Sequence, residues 1–182
     1  MDQGLIPRRY AKALYAVGAE RSDTANLYQL MQSLVAAFAA TPGLASTVAN
    51  PFVSDADKTS LLTSAVYGKN GKADATYEDF LRLLEKNKRT ALARDIALAY
   101  VDLYRRENSI YRVDIVSAAA MGEGERSRLE SIIGKHIGDG TFEYGYTVDP
   151  SLIGGFTVTV NSERLDASVA TQLKQLRLKL VN

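Results

Sequence analysis

The sequence predicts an N-terminal bundle of about six helices followed by a small α+β domain. From residue 8 to about residue 106, apolar side chains recur three and four residues apart, which is the spacing of one face of an α-helix. Beyond Ser109, apolar and polar residues alternate, as they do in strands with one buried face. We therefore predict two domains, residues 1–107 and residues 108–182, joined by a linker that few contacts cross.

The first two helices are predicted from apolar stripes bounded by capping and breaking residues. The first stripe consists of Tyr10, Ala13, Leu14 and Val17. The second helix follows the capping candidates Ser22 and Asp23 and stops at Thr41-Pro42-Gly43. Its stripe consists of Leu27, Leu30, Met31, Leu34 and Phe38. A short segment then leads to Pro51.

Further helices complete the predicted bundle. Ser54-Asp55-Ala56-Asp57 resembles a capping box that opens one of them, and residues 68–72 are predicted to form a turn behind it. Two more helices are predicted from the stripes Tyr77, Phe80, Leu81, Leu84 and Leu92, Ile96, Ala99, Leu103.

The second domain is predicted to contain three or four strands and two helices. Alternation predicts strands that begin at Tyr111, Phe142 and Phe156, and the acidic turn of residues 122–125 leads into a helix. Residues 162–164 are predicted to form a tight turn. Asp166 is predicted to cap a terminal helix bearing Val169, Leu173, Leu176 and Leu180.

The composition excludes several classes of function. The 182 residues contain no cysteine, which removes thiolate nucleophiles and cysteine-based metal sites, and they contain one histidine, His136. The net charge of +1 lacks the excess that drives nonspecific binding to nucleic acid. The longest apolar run, residues 34–40, is far shorter than a membrane span. We expect a soluble protein with no metal and no cofactor.

No motif predicts an enzyme. The sequence Gly122-Glu-Gly-Glu-Arg-Ser127 lies where a dinucleotide fingerprint would, but it lacks the third glycine and places two glutamates where a pyrophosphate would approach. The carboxylates of Asp149, Glu163 and Asp166 fit turn and capping roles better than an acid–base pair. His136 has no nucleophile motif beside it. We expect no catalytic residue and no nucleotide site.

Four segments that span nearly the whole chain resemble one family. They are RYAKAL at 9–14, LLEKNKR at 83–89, VSAA at 116–119, and DPSLIGGF at 149–156 followed by LDASV at 165–169. Their order and spacing resemble the delta subunit of bacterial rotary ATP synthase, whose mitochondrial counterpart is the oligomycin-sensitivity-conferring protein. Three positions depart from the pattern: Ala167 replaces the usual glycine, Ala170 a basic residue and Met121 a leucine.

The resemblance implies a non-catalytic peripheral-stalk subunit that resists rotary torque as part of the stator. It implies that the N-terminal domain receives N-terminal helices of the α subunits and that the C-terminal domain engages the b-type stalk subunit. It further implies membrane association through the complex alone, at the cytoplasmic face of the bacterial plasma membrane. Its last motif implies structural roles in turns, backbone geometry and helix capping for Asp149, Pro150, Gly154, Gly155, Asp166 and Ser168.

The partner-binding residues are predicted on the pair of helices that the resemblance singles out, the first helix and the helix from Tyr77 to Leu84. An amphipathic helix docks in an apolar trough between two helices. The candidates for lining that trough are Ala11, Leu14, Tyr15, Phe80, Leu81 and Leu84. Periodicity alone does not separate the residues of a trough from those of the core.

Two alternative functions stay open on the residues alone. One is an unrelated two-domain adaptor. The other is a nucleic-acid-binding protein in which Phe142, Tyr144 and Tyr146 stack on bases. Because these aromatic residues alternate with Glu143 and Gly145, we expect them to face the helices as core instead.

Overall fold

A computed structural model describes residues 4–68, 73–152, 154–160 and 163–168 of the chain. The chain divides into two compact units, Met1–Arg105 and Arg106–Asn182. Within the described residues, the first unit is built from six helices. These are α1 (Leu5–Glu20), α2 (Thr24–Ala40), α3 (Pro42–Ala49), α4 (Asp55–Tyr67), α5 (Ala75–Lys86) and α6 (Ala93–Glu107), with a 3₁₀ turn, Thr90–Leu92, before α6.

The centre of the core of the first unit is completely buried. Leu27, Met31 and Leu34 of α2 are completely buried there, together with Tyr77 of α5 and Tyr100 of α6. Each tyrosine still satisfies its hydroxyl group, because Tyr77 donates to the Leu62 carbonyl at 3.2 Å and Tyr100 to the Thr24 carbonyl at 3.2 Å. Burial raises the pKa of both phenols well above the ordinary value.

The core stripe of α1 differs from the predicted one. The buried residues are Pro7, Ala11, Leu14 and Gly18. Of the predicted stripe, Leu14 is buried, whereas Tyr10 is half-buried and Ala13 and Val17 are exposed. The helix has two neighbouring apolar stripes, offset by one residue, and packing selects one of them for the core.

The N-terminus of α4 is capped by Ser54, with one difference from the predicted capping box. Ser54 accepts a hydrogen bond from the Asp57 amide at 3.1 Å, as an N-cap should, but its hydroxyl also donates to the Asp57 carboxylate at 2.6 Å. Only half of the predicted capping box therefore forms.

The segment before Pro51 contains α3, which has Pro42 in its first turn. Apart from Gly68, the predicted turn at residues 68–72 lies outside the described residues.

The second unit is a four-stranded sheet with one described helix. Its elements are β1 (Ile110–Ser117), α7 (Glu123–Ile137), β2 (Thr141–Val148), β3 (Gly155–Val160) and β4 (Glu163–Ser168). The strand order is β2-β1-β3-β4, with β1 parallel to β2 and the other pairs antiparallel. Val113, Ile115 and Val158 of the sheet form a buried cluster with Leu129 and Ile133 of α7.

The prediction of a turn at 162–164 and a helix cap at Asp166 is wrong where the structure describes it. Residues 163–168 form β4, in which Asp166 lies opposite Thr157 and Ser168 opposite Gly155. Backbone pairing with β3 outweighs the capping preference of a lone aspartate, so no helix begins at Asp166. Ser162 and the predicted terminal helix from Val169 onward lie outside the described residues.

The loop that precedes β3 contains much of the DPSLIGGF motif. The Asp149 carboxylate accepts a hydrogen bond from the Ser151 amide at 2.9 Å, forming an Asx turn at Pro150. Hydrogen bonds from Ser151 hold the pKa of the Asp149 carboxyl group below its ordinary value. Gly155 has a φ of +80°, in the left-handed region that favours glycine.

Candidate partner-docking surface

The predicted trough residues belong mainly to the core. Ala11 and Leu81 are each 1% exposed, and Leu84 is completely buried. Leu14 and Phe80 are also buried, so five of the six candidates fill the interior and do not line an open trough. The sixth, Tyr15, is half-buried and packs against the rings of Tyr100 and Tyr104.

The structure does connect the two helices on which these candidates were placed. Arg21, the C-cap residue that follows α1, donates to Thr76 Oγ1 at 3.1 Å and to the Asp79 carboxylate at 3.2 and 3.3 Å. Asp79 also pairs with Arg82 at 3.2 Å, within α5. The C-terminal end of α1 therefore lies against the first two turns of α5.

Exposed apolar residues lie one turn from this connection on both helices. Val17 precedes Arg21 by four residues and is 37% exposed, and Leu83 follows Asp79 by four residues and is 44% exposed. Residues four apart share one face of a helix, so both side chains lie on the connected sides of α1 and α5. Tyr10, half-buried, and Ala13, exposed, extend the row of Val17.

We define the docking stripe as these exposed or half-buried apolar residues: Ile6, Tyr10, Ala13 and Val17 of α1 and Leu83 of α5. The sequence contains the signal for it, because α1 has apolar residues at 6, 10, 13 and 17 beside those at 7, 11, 14 and 18. A surface helix needs only one such stripe for its core. The second stripe is therefore an apolar row that α1 does not bury in its core.

The aromatic side chains of the sheet do not form a platform for bases. Phe142, Tyr144 and Tyr146 are half-buried against the cluster beneath α7. The hydroxyl groups of Tyr144 and Tyr146 donate to the backbone oxygen and the carboxylate of Glu130, respectively, and the Arg126 guanidinium lies 4.7 Å from the Tyr146 ring centre. Burial and the Glu130 carboxylate raise the pKa of Tyr146 to about 12.

The described residues add no candidate catalytic side chain to those considered from the sequence. His136 is exposed in the last turn of α7. Across the residues that the structure describes, no three acidic or histidine side chains meet in a metal-binding arrangement. Within the same ranges, no helix combines the length and the apolar character that crossing a membrane requires.

Comparison with known proteins decides the family. The model of the ATP synthase delta (OSCP) subunit family matches residues 6–180. The chain belongs to this family. The delta subunit of Parabacteroides distasonis is 36% identical over 181 residues, which cover 100% of this chain and 98% of that protein. The delta subunit of Bacteroides thetaiotaomicron is 34% identical over 182 residues, covering 100% and 97%.

A solved structure shares the fold of this delta-family chain. A chain of the Toxoplasma gondii mitochondrial ATP synthase hexamer matches with a TM-score of 0.74 and 23% identity, over 97% of each chain. The resemblance read from the four sequence motifs is thus confirmed. The chain is a non-catalytic component of the ATP synthase peripheral stalk.

Proposed function

We propose that the first unit receives an N-terminal helix of the α subunit and that the second unit engages the b-type stalk subunit. The chain would then act as a stator connector at the cytoplasmic face of the bacterial plasma membrane. It would associate with the membrane through the complex, without a cofactor or nucleic acid. In this proposal the six helices of the first unit act as one rigid bundle.

The observation that carries the first half of the proposal is the docking stripe. A folded domain has little reason to keep a second apolar row on a helix that already buries its first. Helix-in-groove recognition uses such a row, flanked by a second helix. Arg21 and Asp79 hold α1 and α5 together at one end, so the stripe is presented by two connected helices.

The second half of the proposal is supported by apolar side chains left exposed in the sheet unit. Ile132 of α7, Val148 at the end of β2 and Leu165 of β4 are 58%, 49% and 66% exposed. Purification of the complex from detergent-solubilised membranes would test this half. We expect the b-type subunit to remain with the wild-type chain and to be lost when the second unit is deleted.

Titration of a labelled peptide from the N-terminus of the α subunit tests the first half. We expect Val17→Gln/Leu83→Gln to weaken binding about tenfold or more, since both buried apolar contacts are lost. Leu98→Gln on α6 is the matched control, because Leu98 is 38% exposed, nearly the same as Val17. Equal affinities for all three proteins would remove the stripe from the interface, and no binding by the wild type would refute docking of the peptide.

The two predicted domains should also fold separately. We expect a fragment of residues 1–107 to unfold cooperatively on heating, with a helical circular dichroism spectrum. A fragment of residues 108–182 should give a mixed spectrum. Non-cooperative melting of the first fragment would show that the boundary is misplaced.

A further inference from the structure

Positive charge is concentrated on α1. Arg8, Arg9 and Lys12 are all exposed on α1, and the sequence has no acidic residue from Gly4 to Ala19. Among the residues that the structure describes, these three cations form no ion pair. The charge of these cations is thus not neutralised within the described chain.

One cation borders the stripe on each of the two helices. Arg9 precedes Ala13 by four residues, and Lys86 follows Leu83 by three, so each shares a face with an apolar residue of the stripe. Lys86 is exposed and belongs to none of the ion pairs between described residues. At the other end of the stripe, by contrast, Arg21 and Arg82 both pair with the Asp79 carboxylate, which offsets part of their charge.

We infer that the docking stripe selects an acidic amphipathic helix, with carboxylates that flank its apolar face and pair with Arg9 and Lys86. The inference rests on the proposed function, since it names the chemistry of the helix that this surface would bind. Unpaired surface cations attract an acidic partner at long range and repel a basic one, so they act on association rate and specificity. Binding should therefore weaken as salt screens these charges.

Three peptide probes separate this inference from the docking proposal. The first is the N-terminal peptide of the α subunit. The other two are designed amphipathic helices with one shared apolar face, one carrying glutamate and the other lysine at the flanking positions. Each is titrated against wild type, Arg9→Gln/Lys86→Gln and the control Arg94→Gln, which removes an exposed cation from α6. Circular dichroism verifies that every variant is folded.

We expect the glutamate helix to bind wild type at least about tenfold more tightly than the lysine helix at low salt. The double variant should bind the glutamate helix and the α peptide about five- to tenfold more weakly, with a shallower salt dependence, while Arg94→Gln should match wild type. If the α peptide fails to bind but the glutamate helix behaves as expected, the acidic-helix inference stands and docking of the α peptide falls.

Other outcomes overturn the inference alone. If the α peptide binds wild type and the double variant equally at every salt concentration, the proposed function survives and electrostatic selection does not. Equal affinity for the glutamate and lysine helices overturns it as well. Binding to anionic phosphatidylglycerol vesicles, without preference for the acidic peptide, would instead assign these cations to a membrane surface.

Discussion

The two units differ in how their interiors are completed. The helical unit buries long apolar side chains and two whole tyrosine rings, Tyr77 and Tyr100, at its centre. The described interior of the sheet unit is a small cluster around Val113 and Ile115, widened by half-buried rings such as Tyr146 whose polar atoms bond to α7. A unit with a complete core can present a second apolar row to a partner. The sheet unit uses its aromatic residues to complete its own interior.

The strongest test of this comparison is a charge placed inside the helical core. Ala11 is 1% exposed, so Ala11→Glu should bury an unpaired carboxylate, crowd the interior, and cost at least about 3 kcal/mol. We expect the helical signal of the first unit to be largely lost in circular dichroism. The sheet unit should remain folded, which the amide resonances of Val113 and Ile115 in nuclear magnetic resonance spectra would report.

Ala13→Glu provides the matched control on the same helix. Ala13 is exposed, so this variant should retain the fold and the melting temperature of wild type within a few degrees. Equal melting temperatures for the two glutamate variants would mean that the α1 core stripe is assigned to the wrong face.

A smaller effect is expected from crowding in the sheet unit. A Cβ atom at Gly140 would lie 2.5 Å from Tyr111 Cε2 and 2.8 Å from the Ser109 carbonyl oxygen, which is backbone and cannot swing away. Gly140→Ala should therefore cost about 1–3 kcal/mol in urea unfolding of the second unit. Gly124→Ala is the control, since nothing lies within 4 Å of the added atom.

Alkaline pH should weaken both units, and Tyr146→Phe should isolate the contribution of the sheet. The pKa of Tyr146 is about 12 in the folded chain, against an ordinary value of 10.0, so the folded state holds its proton more strongly. This stabilisation is complete below pH 10 and is lost as the pH rises through about 12. Removing the hydroxyl group should flatten the decline in stability of the second unit between those pH values.

Urea unfolding at a series of alkaline pH values measures this slope. The first unit is an internal reference, because the pKa values of Tyr77 and Tyr100 are raised there by burial and the mutation does not touch them. An unchanged slope for the second unit would show that Tyr146 is not the group that couples its stability to pH.

The smallest effect is expected at the connection between α1 and α5. The Arg21–Asp79 pair is about half exposed, so Arg21→Ala should change stability by less than about 1 kcal/mol. If α1 and α5 receive the α peptide as proposed, its effect on peptide binding should be larger than that, because the pair connects these two helices. Lys88→Ala is the control for losing an exposed cation on the loop after α5. A loss of stability above about 1 kcal/mol would mean that the pair serves mainly to stabilise the fold.

Sequence periodicity predicted the helices and strands well, but it predicted less well which face of a helix is buried. In α1 the rows through Val17 and Gly18 are both helical and both small or apolar, and packing against the rest of the bundle, as of Gly18 against Leu27, decides which row is buried. The bond from Arg21 to Thr76 connects the two helices on which the candidate residues were placed, but most of those residues lie in the buried row, one position away from the exposed one. Docking of a partner on these helices stays a prediction.

The strand at residues 163–168 was not located from the sequence, for a different reason. Asp166-Ala167-Ser168 contains two residues that favour helix caps, and capping is a local preference. Its pairing with Thr157 and Phe156 is a nonlocal interaction that a single segment does not encode. Predictions from short windows fail where a distant strand supplies the hydrogen bonds.

The central position of β1 has a consequence for synthesis of the chain. This strand leaves the ribosome before either of its neighbours, since β2 follows only after α7 and β3 follows later still. During that interval both of its edges, and the side chains of Val113 and Ile115, are open to pairing with other nascent chains. The sheet unit is thus the part of this subunit for which a chaperone at the ribosome would matter most, and slower translation between β1 and β3 would lengthen the exposure.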